Sequence, residues 1–270
     1  MENETDISSY EILTKFREPL IYRIIKSLNI PQGSKGLDAG CGIGSITKQL
    51  SEEIGENGYV TGLDLSKDFV SYAKNKYKTK NVEFEEGNIN ALPFNDNSFD
   101  WVWSADTVWP GPKELGCPSE DPLPIIKEYH RVIKPGGSIF LLFWSSQKLL
   151  PGYPILEAVL NNTSSATAPF TKTMNPNNHV LNASSWLEQS GFKNINVKTY
   201  LEDIAAPLSE NDKKALKFLF QMFWGGAEAE IGKNDWKTFE RIRDPSSSDY
   251  ILNNKYYYGF YTYTLFNGMK

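Results

Sequence analysis

Ten residues constrain this chain more than any others: Gly36-Leu37-Asp38-Ala39-Gly40-Cys41-Gly42-Ile43-Gly44-Ser45. A short apolar run ends in three alternate glycines and passes straight into a helical pattern. Glycines at 40, 42 and 44 let the backbone turn sharply and let a ligand approach the main chain. The helix that follows offers free N–H groups and the positive end of its dipole. The spacing separates ligand classes. A G-x-G-x-x-G dinucleotide fingerprint begun at Gly40 needs glycine at 45, which is Ser45. Begun at Gly42, it needs glycine at 47, which is Thr47. No Gly-Lys-Ser/Thr follows, so a P-loop is excluded. What remains is D-x-G-x-G-x-G, from Asp38 to Gly44.

The flanking pattern supplies a fold. Ile7, Tyr10, Leu13, Leu20, Ile24 and Leu28 recur at helical spacing, with Asp6, Ser8 or Ser9 as candidate caps. Strands are predicted at Gly36–Ala39, Tyr59–Leu63, Val82–Glu85, Phe99–Trp103 and Ser138–Trp144. Helices are predicted at Ile46–Ile54, Asp68–Tyr77 and Leu123–Val132. Alternating strands and helices predict a parallel sheet covered on both faces, and right-handed crossovers make it doubly wound. The second half is less regular. Leu149–Asn178 is rich in Pro, Asn, Ser and Thr. A helix over Asn182–Ser190, a strand over Phe192–Tyr200, helical patterns from Leu208 to Ile242 and an aromatic strand over Lys255–Phe266 follow. No repeat or linker divides the chain, so residues 1–270 read as one domain. An N-terminal helical segment (1–33) precedes a cofactor-binding half (34–145). A half that shapes the substrate site (146–270) completes it, with a helical insertion at about 205–252 and a final strand.

Asp38 to Gly44 resembles motif I of class I S-adenosylmethionine-dependent methyltransferases. The resemblance continues in order through Val60-Thr61-Gly62-Leu63-Asp64-Leu65-Ser66, Gly87-Asn88-Ile89-Asn90-Ala91-Leu92-Pro93-Phe94, Ser98–Val102 and Arg131-Val132-Ile133-Lys134-Pro135-Gly136-Gly137. It covers roughly residues 34–144, and its last segments look most like the ubiquinone/menaquinone-biosynthesis (type 11) group. The resemblance implies an α/β, Rossmann-like, mostly parallel seven-stranded sheet with helices on both faces and an added helical cap. It implies S-adenosylmethionine as cofactor and S-adenosylhomocysteine as product. Gly40, Gly42 and Gly44, with Cys41 between them, would pack on the methionine part. Asp38 would orient the loop or meet the ammonium group. Asp64, 20 residues beyond Gly44, would bind the ribose hydroxyls, and Leu65 would pack on the adenine. Asn88 and Ile89 would read the adenine edge, Asn88 as an acceptor where relatives usually carry Asp. Ser104 begins the segment facing the methyl group, and Tyr10 and Arg17 on the first helix would cover the cofactor.

The acceptor is less legible. Transfer from a sulfonium is an in-line displacement that needs alignment, and needs a base only when the nucleophile must lose a proton. Asp106, Trp109 and His179 are the catalytic candidates, each with a plain alternative: a loop brace, a packing residue and a solvated loop histidine. The loop with Pro110, Pro112, Pro118, Pro122 and Pro124 is expected to line the acceptor pocket. Phe218, Phe220, Phe223 and Trp224 make either core or an aromatic lid. Both faces of Tyr256–Tyr263 are aromatic, which predicts a buried last strand.

Composition narrows the partners. Lys and Arg number 28 against 33 Asp and Glu, a formal net charge of −5. That balance, with no Asn/Asp-Pro-Pro-aromatic signature after the fourth strand, argues against a nucleic-acid substrate. Aromatics at 13% can be used by a core alone, or by a pocket for an apolar or aromatic small-molecule acceptor. Two distant cysteines and two histidines give no metal-ligand spacing, so no metal is expected. The polar, acidic start is unlike a signal peptide, and no apolar run is long enough to span a bilayer, so the expected location is cytoplasmic. The reading is a methyltransferase of small molecules. The rivals are a methyltransferase of protein or RNA and a non-catalytic S-adenosylmethionine-binding regulator.

Overall fold

The computed structural model describes residues 7–270; Asp6, one candidate cap, lies outside them. Ser8 and Ser9, the others, fall inside helix α1 (Ile7–Ser27) rather than ahead of it. The chain divides into two compact units. The larger comprises Glu18–Trp144, Met174–Tyr200 and Tyr263–Lys270. The smaller comprises, among the described residues, 7–17, Ser145–Thr173 and Leu201–Thr262.

The strands are β1 (Lys35–Ala39), β2 (Tyr59–Asp64), β3 (Val82–Glu86), β4 (Phe99–Ala105), β5 (Ile133–Lys148), β6 (Lys193–Ala205) and β7 (Tyr258–Met269). They form one sheet in the order β3-β2-β1-β4-β5-β7-β6. The first five positions pair in parallel. β7 runs against β5: Gly136 and Gly137 bond to Lys270, while Ser145 bonds to Thr262. The sheet is therefore mixed, with a parallel majority. The helices α2 (Ser45–Ile54), α3 (Lys67–Lys76) and α4 (Leu123–Val132) connect parallel strands, as such strands require. α2 buries Thr47, Leu50 and Ile54, one face at helical spacing. Ser66 caps α3 by accepting from the Phe69 N–H, with Asp68 in the first turn and Lys74 and Lys76 in the last. The core holds Leu37, Leu63, Val102, Trp103 and Leu141, all fully buried. β1 lies between β2 and β4, so the chain turns from one half of the sheet to the other there. In such sheets the crevice outside the carboxyl ends of the strands, at that point, takes the ligand.

β5 starts five residues earlier than predicted. Phe99 pairs with Ile133 and Trp101 with Ser138, so Lys134–Gly137 bulge out of register instead of forming a separate turn. The irregular stretch after β5 contains two short helices, α5 (Pro154–Leu160) and α6 (Ser164–Thr167). Helix α7 (Ala183–Gln189) precedes β6.

The smaller unit is built on α8 (Glu210–Trp224) and α9 (Lys233–Arg243). α8 opens with a capping box, Ser209 with Asp212. Phe220, Trp224 and Phe239 are buried together, with ring centroids 5.6, 5.8 and 6.4 Å apart. The Trp224 indole N–H finds Asn161 Oδ1 at 2.9 Å. Phe220 and Trp224 are core, not lid. Burial alternates at the start of β7: Tyr257 and Tyr261 are inside, Tyr256 and Tyr258 outside. The expectation of a strand buried on both faces fails at that end and holds over Tyr263–Phe266, four consecutive buried residues.

Candidate active site

The site grows from the end of β1. Gly40 takes φ +84, and its N–H and that of Cys41 both donate to the Leu63 carbonyl, at 2.7 and 2.9 Å. A Cβ on Gly40 would lie 2.2 Å from Thr107 Oγ1, so only glycine fits. Gly44, also at φ +84, sits beneath Phe84 and Ala73, where a Cβ would meet atoms at 2.7–2.8 Å. Gly42 instead faces open space. The Gly42 N–H donates to Asp64 Oδ2 at 2.8 Å, and the Ser66 N–H to Asp64 Oδ1 at 2.9 Å. The carboxylate at the end of β2 is thus fixed against the glycine turn. Burial raises its pKa against the backbone donors that lower it.

Asp38 is fully buried in β1. Thr47 Oγ1, on the first turn of α2, donates to its Oδ2 at 2.6 Å. Burial pushes the Asp38 pKa up to about 7, only partly offset by Thr47. Burial also raises the thiols of Cys41 and Cys117.

A cleft of about 420 Å³ opens here, lined by Gly40, Asp64, Leu65, Asn88, Ile89 and Asn90 on one side. Thr107, Lys113, Gly116, Cys117 and Pro118 line it on the other. Its size suits a small ligand, and Leu65, 70% exposed, offers it an apolar surface. An acidic residue at the end of β2, a glycine turn at the end of β1 and an apolar platform between them fit a nucleoside-bearing cofactor.

Of the predicted cofactor residues, Gly40, Asp64, Leu65, Asn88 and Ile89 come together in this cleft. Asp38, Cys41 and Gly44 lie behind it, and Gly42 adjoins it through its bond to Asp64. Ser104 is buried, donating to the Ala39 carbonyl at 3.0 Å, so it buttresses β1 instead of lining the cleft. Tyr10 and Arg17 belong to the smaller unit. Asn88 does not offer the expected acceptor. Its one carbonyl oxygen accepts from Asn90 N and Nδ2 at 2.9 and 3.0 Å. The other Nδ2 bond of Asn90 ties Pro118, at 3.1 Å.

Among the catalytic candidates, Asp106 takes φ +50 just after β4 and accepts from the Trp144 N–H and the Tyr263 hydroxyl. Trp109 is half-buried, edge-on to Phe143 at 5.9 Å. His179 is not in the cleft lining. Its Nδ1 accepts from the Leu181 N–H and caps a turn, and burial lowers its pKa. Of the proline-rich loop expected to line the acceptor pocket, Pro118 borders the same cleft as Asp64, together with Lys113 and Cys117 of that loop. The loop closes on itself through Gly111 N–H to Ser119 O at 3.0 Å. Thr47 and Asn90 were missed. Thr47 follows a glycine turn with a hydroxyl one helical turn on, and Asn88-x-Asn90 has the spacing of an Asx turn; both signals were present.

The packing around Gly44 carries an expectation. Gly44→Ala combines a left-handed φ with a methyl forced against Phe84 and Ala73, so it should cost about 3 kcal/mol. A thermal melt should show Tm lower by roughly 6–10 °C; an unchanged Tm would mean the loop yields freely.

Fold and cleft together define a nucleoside-cofactor-binding α/β enzyme. The methyltransferase domain family matches residues 37–141. A demethylmenaquinone methyltransferase of Staphylococcus epidermidis is 31% identical over 80% of this chain and 83% of its own length. One of Staphylococcus aureus is 32% identical over 68% and 78%. Among solved structures, an S-adenosylmethionine-dependent methyltransferase from Aquifex aeolicus shares the fold: TM-score 0.52, 20% identity, 97% of this chain and 96% of that one. The chain belongs to the S-adenosylmethionine-dependent methyltransferase family and is an enzyme of that class. No helix among the described residues is long and apolar enough to cross a membrane.

Proposed function

We propose that this enzyme methylates a small, apolar, aromatic acceptor of the demethylmenaquinone kind. The observation that carries this is the similarity to relatives of that name, which runs over four-fifths of both chains rather than over the cofactor motifs alone. The acidic net charge points the same way, against a nucleic-acid acceptor.

When bound, S-adenosylmethionine supplies an electrophilic methyl on a sulfonium, and the protein's task is alignment. Asp64 accepts from the ribose hydroxyls with lone pairs not used by Gly42 and Ser66. Leu65 would pack on the adenine, and Asn88 and Ile89, with Asn90 beside them, would meet its edge. Gly40, Gly42 and Gly44 would shape the turn around the methionine part, with Cys41 packed among them, and the buried Asp38 would orient the loop or meet the ammonium directly or through water. Ser104 supports this turn through its bond to the Ala39 carbonyl. Trp109 provides an apolar wall for the acceptor. If the acceptor hydroxyl must lose its proton, His179 would take it only by releasing the Leu181 N–H held at its Nδ1.

Incubation with methyl-labelled S-adenosylmethionine and a panel of reduced naphthoquinones, phenols, protein and RNA tests this. Label should enter a naphthoquinol. Label only in macromolecular fractions would overturn the small-molecule reading, and binding without turnover on any pool would overturn catalysis.

A further inference from the structure

Just after β4, the geometry of Asp106 is fixed from three sides. It sits at φ +50, a left-handed conformation that costs about 1–2 kcal/mol for most side chains and less for Asp or Asn. Its N–H is held by the Leu142 carbonyl at 2.8 Å. One carboxylate oxygen accepts from the Trp144 N–H at 2.8 Å, the other from the Tyr263 hydroxyl. Tyr263 is fully buried in β7, its ring edge-on to Trp144 at 5.7 Å. The left-handed step turns the chain so that Thr107 lies on Gly40, bonding through Oγ1 to the carbonyls of Ala105 at 3.0 Å and Gly40 at 3.4 Å. Thr107 and Gly40 both line the cleft.

We infer that Tyr263 and Asp106 form a positioning pair that sets Thr107 against the Gly40 turn, and that Asp106 is not the base of the reaction. Both of its oxygens already serve structural donors, one from each of two neighbouring strands. Asp106 is also not among the residues that line the cleft, so it is placed to orient Thr107 rather than to take a proton there. The pair fixes the wall of the cleft on which methyl and acceptor must line up, where a displacement of about 1 Å costs about a hundredfold in rate. Tyr263 therefore contributes to methyl transfer without touching cofactor or acceptor. This rests on reading the Gly40 cleft as the S-adenosylmethionine site; wild-type protein that fails to bind S-adenosylhomocysteine would sink that reading, independently of the pair.

The test compares D106N, D106A, Y263F and the double variant D106A/Y263F in the full chain. S-adenosylhomocysteine affinity is read by calorimetry, and kcat and KM are read with the acceptor found above. Asparagine tolerates the left-handed φ, accepts from Trp144 through its carbonyl and donates to the Tyr263 oxygen through its amide. It keeps the brace and loses the basicity. D106N should restore affinity and kcat to within about threefold of wild type, with an unaltered pH profile. D106A and Y263F should each lower affinity or kcat about tenfold or more, and the double variant should be no worse than D106A, because the two act through one contact. Loss of a hundredfold in kcat in D106N with affinity intact would make Asp106 the base and overturn the proposal. So would Y263F indistinguishable from wild type, or additive effects in the double variant. If D106A does not fold, D106N and Y263F still decide.

Discussion

Asp64→Ala is expected to weaken S-adenosylmethionine and S-adenosylhomocysteine binding by a hundredfold or more. The side chain carries two tasks. Toward the cofactor it accepts from the ribose hydroxyls, and a hydrogen bond to a charged group contributes roughly 1.5–3 kcal/mol. Toward the protein it holds the N–H groups of Gly42 and Ser66, so its loss also frees the glycine turn. Two such bonds convert to a hundredfold or more at 1.4 kcal/mol per decade. Asp64→Asn separates the tasks: one oxygen stays as acceptor, so its affinity should fall between wild type and Asp64→Ala. Calorimetry with S-adenosylhomocysteine measures both, since the product needs no acceptor. Equal affinity in all three proteins would remove Asp64 from the ribose site.

That this residue stood out in the sequence, while Asn90 and Tyr263 did not, has a physical reason. Asp64 closes a buried parallel strand, and β2 reads as Tyr59-Val60-Thr61-Gly62-Leu63-Asp64, an apolar run ending in a charge. Local pattern and local chemistry coincide there. The same holds for Gly40 and Gly44, whose positive φ is written in the residue type. The role of Asn88 depends on which neighbour takes its single carbonyl oxygen, and Asn90 takes it twice. The Asp106 to Tyr263 contact joins residues 157 apart, made adjacent only by the insertion of β7 between β5 and β6. No periodicity encodes that. The β5 bulge at Lys134–Gly137 was hidden for the opposite reason: Pro-Gly-Gly reads as a turn, and the pairing of Gly136 and Gly137 with Lys270 comes from the far end of the chain. The alternation of strands and helices and the glycine chemistry were legible; partners set by tertiary closure were not.

The second large expectation concerns proton linkage at Asp38. Full burial lifts its pKa from an ordinary 3.8 to about 7 in the cofactor-free protein. The folded state then binds more protons than the unfolded chain between those values, so stability falls as pH rises through that window. The stabilisation is fully present below about pH 4 and is lost as pH passes about 7. A shift of about three units corresponds to something on the order of 4 kcal/mol as an upper bound. Asp38→Asn cannot ionise, and its carbonyl still accepts from Thr47. Cofactor-free D38N should therefore melt close to wild type at about pH 4 and at a higher temperature at pH 8. Cofactor affinity should run the other way. A cationic ammonium facing Asp38 favours the carboxylate, so wild-type affinity for S-adenosylhomocysteine should rise from pH 6 to pH 8, while D38N binds more weakly and without that slope. Melts and calorimetry at the two pH values check both. A stability gain at pH 8 with an unchanged affinity profile would show a buried acid that braces Thr47 and never meets the cofactor. A lost affinity slope without the stability gain would place the ionised carboxylate in the free protein already. Only both together make Asp38 a group whose desolvation cost in the free protein is offset when the cation binds.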